Sequence, residues 1–205
     1  MIDRIRRANF WIFDLDGTVT HPVHDFERIR AELGLPSGCD ILATIAERPE
    51  AERDELNHQL DQWEYFYADM VKPAIGVNAC LELLGTRGCQ LGILTRNKRE
   101  VALHCLEVIG VSHLFNPAAV LGRDDALAKP DPQGINLLLQ QWQAGAEQTV
   151  MVGDFRYDLE VGRAAGVATI HVDLRDDRAW PELTDLKVHT LSELHQWLIS
   201  SRVSA

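Results

Sequence analysis

The sequence predicts an α/β fold in which a parallel sheet carries helices on both faces and an α-helical cap is inserted after the first strand. Short aliphatic runs alternate with helical patterns along most of the chain. One long segment early in the chain instead holds helical patterns only. With 205 residues, the chain is long enough for one compact core and a modest insertion.

Short runs rich in branched and aliphatic residues have the length and composition of buried strands. They are Phe10 to Leu15, Gln90 to Leu94, Ala118 to Leu121, Thr149 to Val152 and Val167 to Val172. Helical patterns follow at Asn78 to Thr86, Lys98 to Ile109, Pro132 to Ala144, Asp158 to Ala164 and Ser192 to Ser200. Repeated alternation of strand and helix favours parallel strands joined by crossover helices.

The segment of residues 19–74 interrupts this alternation. Its apolar residues recur at helical spacing, as at Leu56 and Leu60, and prolines divide it into about three helices. We expect a helical cap domain over residues 19–74 and an α/β core domain made of residues 1–18 and 75–205. Insertions in strand-to-helix loops commonly border the ligand site, although a purely structural appendage is the alternative.

Charge and hydropathy argue against several classes of function. The 31 acidic and 20 basic residues give a net charge of -11, which disfavours nucleic acid as a partner. The acidic residues are concentrated in the cap segment, a pattern typical of a solvated helix face. No apolar stretch approaches the ~20 residues of a membrane-spanning helix, and the run from Phe10 to Phe13 is too short for a signal peptide.

Cysteine and histidine patterns give no support for a zinc site. The four cysteines form no C-x-x-C pair, and the eight histidines form no H-E-x-x-H motif. Cysteines scattered in this way are typical of reduced, buried thiols. We therefore expect a cytoplasmic protein whose partner is neither nucleic acid nor membrane, and any metal site must consist of carboxylates.

Two carboxylates follow the first predicted strand. Asp14 and Asp16 are one residue apart, so their side chains leave an extended chain on the same side. Like charges this close repel each other unless a cation lies between them or one of them is protonated. Gly17 then allows a sharp turn. An Asp-Gly turn with one capping aspartate is the simpler alternative.

Polar groups also follow the second and third strands. Thr95, Arg96 and Asn97 come directly after Gln90 to Leu94 and precede a helix, whose N-terminus can bind an anion. Lys129 lies between the third and fourth strands, in a loop that prolines constrain. Taken alone, Thr95 or Asn97 could be a helix cap and Lys129 a solvated charge.

Asp154 and Asp158 complete the set, one at the end of the fourth strand and one at the start of the next helix. Open α/β sheets bind ligands at the carboxyl edge of their parallel strands, and we expect all these groups to meet there. Clustered carboxylate oxygens suit Mg²⁺. Thr95 and Lys129 would add a hydrogen-bond donor and a positive charge for an anionic substrate.

Together these pieces resemble the motifs of the haloacid dehalogenase superfamily of phosphatases. In chain order they are Asp14-Leu15-Asp16-Gly17-Thr18, Thr95 after an aliphatic strand, Lys129-Pro130, and Gly153-Asp154 with Asp158. The helical insertion is similar to the small cap of the phosphoglycolate phosphatase and β-phosphoglucomutase branch. The resemblance implies a Rossmann-like core and a Mg²⁺-dependent phosphatase that hydrolyses a small phosphorylated metabolite. Phosphoglycolate is the substrate expected from the family.

The resemblance also implies catalytic roles. Asp14 would be the nucleophile that forms an aspartyl-phosphate. Asp16 would protonate the leaving alcohol and then activate water. Thr95 and Lys129 would bind the transferring phosphoryl oxygens. Arg96, which follows Thr95 directly, is not implied by the resemblance and is a separate candidate for substrate binding.

The remaining residues of the motifs are assigned to the metal and the substrate. Mg²⁺ would be held by the Asp14 carboxylate, the Asp16 backbone carbonyl and Asp154, with support from Asp158. Asn97 is a further candidate for substrate binding.

Other chemistries stay open. A dehalogenase is disfavoured because a halide leaves without the proton that Asp16 supplies, and a phosphonate-cleaving enzyme would need a Schiff-base lysine, for which the cap offers Lys72. A sugar-phosphate mutase would use the same intermediate. His21 and His24 could hold its sugar, although ordinary linker residues are the simpler interpretation. A non-catalytic phospho-ligand binding protein is the last alternative, yet no motif residue is missing. We expect hydrolysis.

Overall fold

The computed structural model describes residues 2–200. The outermost ends of the expected core, residue 1 and residues 201–205, lie outside the described part. The strands are β1 (Phe10–Phe13), β2 (Gln90–Leu94), β3 (Val120–Leu121), β4 (Thr149–Gly153), β5 (Ala168–Val172) and β6 (Leu186–Val188). All neighbouring strands pair in parallel, in the order β3-β2-β1-β4-β5-β6. The predicted parallel α/β sheet is thus confirmed.

Helices cover both faces of this sheet. They are α1 (Ile2–Arg6), α2 (Phe26–Glu32), α3 (Ile41–Ala46), α4 (Glu50–Ala68), α5 (Val77–Thr86), α6 (Arg99–Val108), α7 (Gln133–Trp142), α8 (Arg156–Ala164) and α9 (Leu191–Ser200). Among residues 2–200, no helix has the length and apolar composition needed to cross a bilayer.

The side chains of β1 point alternately to the two faces of the sheet, and a layer of the core packs on each face. Trp11 and Phe13 pack with α5, α6 and α9, whereas Ile12 points to the other face and packs with α7 and α8. This is the period of two that an extended chain imposes on its side chains. Because β1 is buried on both faces, it reads as a continuous apolar run in the sequence.

The structure differs from the predicted elements mainly at their ends. β1 ends at Phe13 rather than Leu15 because the Leu15 carbonyl accepts hydrogen bonds from the backbone amides of residues 18, 19 and 20, which turns the chain away. β3 begins at Val120 because Pro117–Ala119 form a 3-10 turn. The short elements β6 and α1 were not predicted.

Helices α2, α3 and α4 form the cap, as the fold prediction requires. They share an apolar cluster of their own, separate from the two layers of the sheet and centred on Ile29, Ile45 and Leu60. The chain enters and leaves the cap side by side: the His21 amide donates to the Lys72 carbonyl at 2.8 Å, and the Ala74 amide donates to the Val19 carbonyl at 3.0 Å. The cap is therefore joined to the core by a narrow stem of two neighbouring chain segments, residues 19–21 and 72–74.

Candidate active site

A cavity of about 580 Å³ lies between the carboxyl edge of the sheet and the cap. β1, β2 and β4 are neighbours in the sheet, so the loops that follow them open into the same space. All of the residues predicted from the sequence line this cavity: Asp14, Asp16, Thr95, Arg96, Asn97, Lys129, Asp154 and Asp158. The expected convergence of these residues is present.

Lys129 is buried between two carboxylates. Its Nζ donates to Asp14 Oδ1 at 2.5 Å and to Asp158 Oδ1 at 2.6 Å. Burial alone would lower the pKa of Lys129, but the two carboxylates outweigh burial and raise this pKa. Lys129 is therefore a permanent cation that fixes Asp14. Asp158 is fixed in turn, because its Oδ2 accepts the Phe155 backbone amide at 3.0 Å.

Three carboxylates form a cluster that could hold a metal ion. Asp14, Asp154 and Asp158 each offer an oxygen, and these oxygens lie within 4.8 Å of one another. Burial is the main reason that the pKa of Asp14 is raised, and the neighbouring carboxylates add to this effect. Burial and Asp158 likewise raise the pKa of Asp154 to about 7. The cluster thus carries more negative charge than Lys129 balances.

The Asp16 side chain has partners outside this cluster. Its Oδ2 accepts Asn97 Nδ2 at 2.7 Å, and its Oδ1 lies 3.5 Å from Thr20 Oγ1 and 3.3 Å from His24 Nδ1. The two aspartates that follow β1 therefore sit in different surroundings, one beside a lysine and one among neutral donors and an imidazole. The side-chain amide of Asn97, a predicted substrate ligand, donates to Asp16.

Thr95 and Arg96 follow β2 at the same edge. The buried Thr95 Oγ1 accepts the Asn97 backbone amide at 3.2 Å, which leaves the hydroxyl proton able to donate elsewhere. Arg96 extends toward the cap, where its Nη2 donates to Asp40 Oδ1 at 2.6 Å. The guanidinium also lies over the Tyr157 ring, 5.1 Å from its centroid.

Two residues near the site were underestimated from the sequence. His24 was expected to be an ordinary linker residue, but its side chain is 4% exposed beside Asp16 and its ring stacks on Phe26, with the ring centroids 5.3 Å apart. His21 is exposed, as a linker residue would be. The segment after β5 holds none of the motif residues. Its Arg178, however, places Nη1 at 3.7 Å from Asp154 Oδ2.

The cap also reaches the core through buried charges. Glu64 and Asp61 on α4 pair with Arg123, which lies in the loop after β3, and Asp61 also pairs with Lys98. The Glu64 carboxylate accepts the Lys98 backbone amide at 3.2 Å, at the start of α6. Burial, the largest influence, raises the pKa of Glu64 to about 7. The expectation that the acidic cap segment is only a solvated face is wrong for this part of α4.

Comparison with known proteins identifies the family. The model of the haloacid dehalogenase-like hydrolase family matches residues 11–172, so the chain belongs to that family. A haloacid dehalogenase-like hydrolase domain-containing protein from Arabidopsis thaliana is 28% identical over 91% of this chain and 82% of its own length. The pyrophosphatase PpaX of Listeria monocytogenes is 27% identical over 78% of this chain and 81% of its own length.

Solved structures agree on the fold. A predicted phosphoglycolate phosphatase from Haemophilus somnus has a TM-score of 0.73 at 19% identity, covering 93% of this chain and 98% of its own. The resemblance noted in the sequence is therefore confirmed, and with it the class of enzyme, a haloacid dehalogenase-like hydrolase.

Proposed function

We propose that this protein hydrolyses a small phosphomonoester through an aspartyl-phosphate, with Mg²⁺ as its cofactor. The observation that carries the proposal is the pair of contrasting aspartates after β1: Asp14 is fixed by Lys129 within an acidic cluster, and Asp16 lies next to it among neutral donors and His24. A nucleophile and a general acid need this difference of surroundings.

The donor set fits a magnesium ion. Asp14, Asp154 and Asp158 offer only carboxylate oxygens, the ligands that Mg²⁺ prefers. Burial and, after it, repulsion from Asp158 raise the pKa of Asp154, and a divalent cation would relieve that repulsion. When bound there, Mg²⁺ would neutralise charge between the carboxylate nucleophile and the phosphate. The carboxylates of Asp14 and Asp154, with the Asp16 carbonyl, are the proposed ligands, and Asp158 is their support.

The first half of the reaction is phosphoryl transfer to Asp14. A carboxylate oxygen of Asp14 attacks phosphorus in line, and the bond between phosphorus and the leaving alcohol oxygen breaks. Asp16 gives its proton to that oxygen. Lys129 and the Thr95 hydroxyl donate to the equatorial phosphoryl oxygens, where negative charge is spread in the transition state.

The second half returns the enzyme to its starting state. Asp16, now a carboxylate, takes a proton from water, whose oxygen attacks phosphorus and displaces Asp14. Inorganic phosphate leaves, and Asp16 holds the proton again. Asn97 keeps the Asp16 carboxylate in place throughout by its 2.7 Å hydrogen bond.

The proposed partner is a small phosphorylated metabolite. The cavity of about 580 Å³ is within the range of ordinary small-molecule sites. Phosphoglycolate is one candidate because of the fold, and pyrophosphate is a second because of the relatives called PpaX. Free cysteines, of which Cys80 and Cys105 are buried, support a place in the reducing cytoplasm.

The test is release of inorganic phosphate from a panel of small phosphomonoesters and pyrophosphate, with Mg²⁺ and with a chelator. Asp14→Asn protein, folded by circular dichroism, provides the background. We expect Mg²⁺-dependent release from at least one compound and none from the variant. Folded, Mg²⁺-supplied wild-type protein that hydrolyses no compound would contradict hydrolysis. Conversion of one sugar phosphate into its isomer would then support the mutase instead.

A further inference from the structure

Arg96 is the cation at the site whose partner lies on the opposite side of the cavity. Lys129 bonds to Asp14 and Asp158 within the reacting centre. Arg96 follows Thr95 directly but pairs with Asp40, the N-cap residue of α3 in the cap. The Asp40–Arg96 pair therefore connects the loop after β2 to the cap. If the phosphoryl group binds against Asp14 and Lys129, its leaving group points toward this side of the cavity.

The Arg96 guanidinium has unused hydrogen-bonding capacity. In the described part of the chain its buried Nε has no hydrogen-bond partner, whereas Nη2 donates to Asp40. A buried, unpaired N–H is costly unless an acceptor reaches it. The Tyr157 ring beneath the guanidinium limits its movement. The group is thus held in place, and because its side chain is 25% exposed and lines the cavity, it can still donate to another anionic partner.

Asp40 is a charged competitor for this guanidinium. Burial alone would raise the pKa of Asp40, but hydrogen bonds from Arg96 and the Ala43 amide outweigh it and lower the pKa. Asp40 is therefore ionised at neutral pH. An anionic group on the substrate would gain a charge-assisted hydrogen bond from Arg96 and would be repelled by Asp40.

We propose that Arg96 binds a second anionic group on the leaving-group side of the substrate, and that Asp40 competes with that group for the guanidinium. This inference rests on the proposed phosphatase function and adds a substrate class to it: phosphomonoesters whose leaving group bears a carboxylate or a phosphate. Asp40, a residue of the cap, then sets how strongly the site prefers these anions.

A matched pair of substrates isolates the second charge. 2-Phosphoglycolate and 2-hydroxyethyl phosphate have leaving groups of the same length, one ending in a carboxylate and the other in a neutral hydroxyl. The measured quantity is the kcat/KM for the anionic compound divided by the kcat/KM for the neutral ester. Pyrophosphate, measured in parallel, distinguishes a phosphate from a carboxylate as the second anion. We expect wild-type protein to prefer at least one anionic compound over the neutral ester.

Two substitutions should move this ratio in opposite directions. Arg96→Gln removes the cation, and the ratio should fall by about tenfold to a hundredfold, the range for loss of a charge-assisted hydrogen bond. Asp40→Asn keeps an oxygen that can accept from Arg96 but removes the competing charge. The ratio should then rise severalfold.

Two controls separate this effect from general causes. Arg175 also lines the cavity, so Arg175→Gln removes a cation at the rim and should change the ratio less than Arg96→Gln does. Asp69 forms another contact between cap and core, with His104 at 2.8 Å. Asp69→Asn should leave the ratio unchanged.

The outcomes that would overturn the inference differ from those that would overturn the proposed function. Three results would overturn the role of Arg96 and Asp40 while leaving the phosphatase in place. The first is that wild-type protein hydrolyses the neutral ester as well as both anionic compounds. The others are equal losses of activity for all substrates in Arg96→Gln and a fall of the ratio in Asp40→Asn. An Arg175→Gln effect equal to that of Arg96→Gln would do the same. Absence of any hydrolysis by wild-type protein would contradict the phosphatase itself.

Discussion

The sheet edge and the boundary between cap and core handle buried charge in opposite ways. At the sheet edge, the three carboxylates of Asp14, Asp154 and Asp158 face one buried cation, Lys129, and the more exposed Arg178 beside Asp154. At the boundary, acids on α4 meet matching cations of the core in Arg123 and Lys98. Unbalanced charge marks the place where a cation and a substrate are needed, whereas balanced charge connects two parts of the fold.

This contrast predicts which substitutions affect catalysis and which affect stability. Neutralising a residue of the unbalanced cluster should remove activity at little cost in folding free energy. Removing one member of a balanced pair should instead lower the free energy of unfolding, because its partner stays buried without compensation.

The largest effect is expected from Asp14→Asn. An amide of nearly the same shape cannot form the acyl-phosphate, so the rate of phosphate release should fall on the order of 10⁴-fold or more, as loss of a nucleophile does in other covalent hydrolases. Measured rates with Mg²⁺ present, together with thermal unfolding to check the fold, provide the test. Substantial remaining activity would remove Asp14 from the role of nucleophile.

Asp16→Asn should have a large effect that depends on the leaving group. The amide can still accept Asn97 Nδ2 but has no proton to give, and loss of general acid and base catalysis costs about 10²- to 10⁴-fold. The loss should be greater for an alkyl phosphate than for an aryl phosphate, whose leaving group needs no proton. Equal losses for both kinds of ester would mean that Asp16 does not protonate the leaving oxygen.

Arg123→Met should lower stability through the balanced pair. Glu64 and Asp61 would lose their partner while staying at the boundary, and breaking a buried pair costs about 3 kcal/mol of unfolding free energy. Urea unfolding measures this loss. Asp69→Asn, which breaks a more exposed contact, is the control and should cost less than about 1 kcal/mol. Similar values for the two variants would argue against the contrast.

Asp154→Asn should have a smaller effect of the opposite sign on stability. Without metal, removal of one charge from the crowded cluster should raise the free energy of unfolding by about 1 kcal/mol. Mg²⁺ should raise the Tm of the wild-type protein and leave that of the variant almost unchanged. Equal Mg²⁺-induced shifts in Tm for both proteins would exclude Asp154 as a metal ligand.

Glu64→Gln should change the dependence of stability on pH. Because the pKa of Glu64 is raised from 4.5 to about 7 in the folded chain, its protonated form favours folding. This stabilisation is complete below pH 4.5 and is lost as the pH rises to about 7. Wild-type protein should therefore become less stable relative to Glu64→Gln over that interval, as measured by urea unfolding of both proteins. A difference that stays constant with pH would contradict the raised pKa.

Much of the core and its motif loops could be predicted because their signals are local. A short aliphatic run such as Gln90–Leu94 is a strand by composition, and Asp14 or Asp154 follows its strand directly in the chain. Contacts between residues that are distant in the sequence leave no such local pattern. Asp40 meets Arg96, and Glu64 meets Arg123, only after the cap has docked. Strand β6 was missed because three residues, Leu186–Val188, are too few to show alternation.

The narrow stem of the cap has a consequence for how such a protein can change. Thr20 and Pro73 face each other in an antiparallel bridge, so the ends of the inserted segment are already neighbours. A short turn could join them without moving β1 or the aspartates that follow it, since loop closure between adjacent points costs little. The cap can therefore be replaced without changing the carboxyl edge of the sheet, and a new cap could bring a new substrate range to the same set of aspartates.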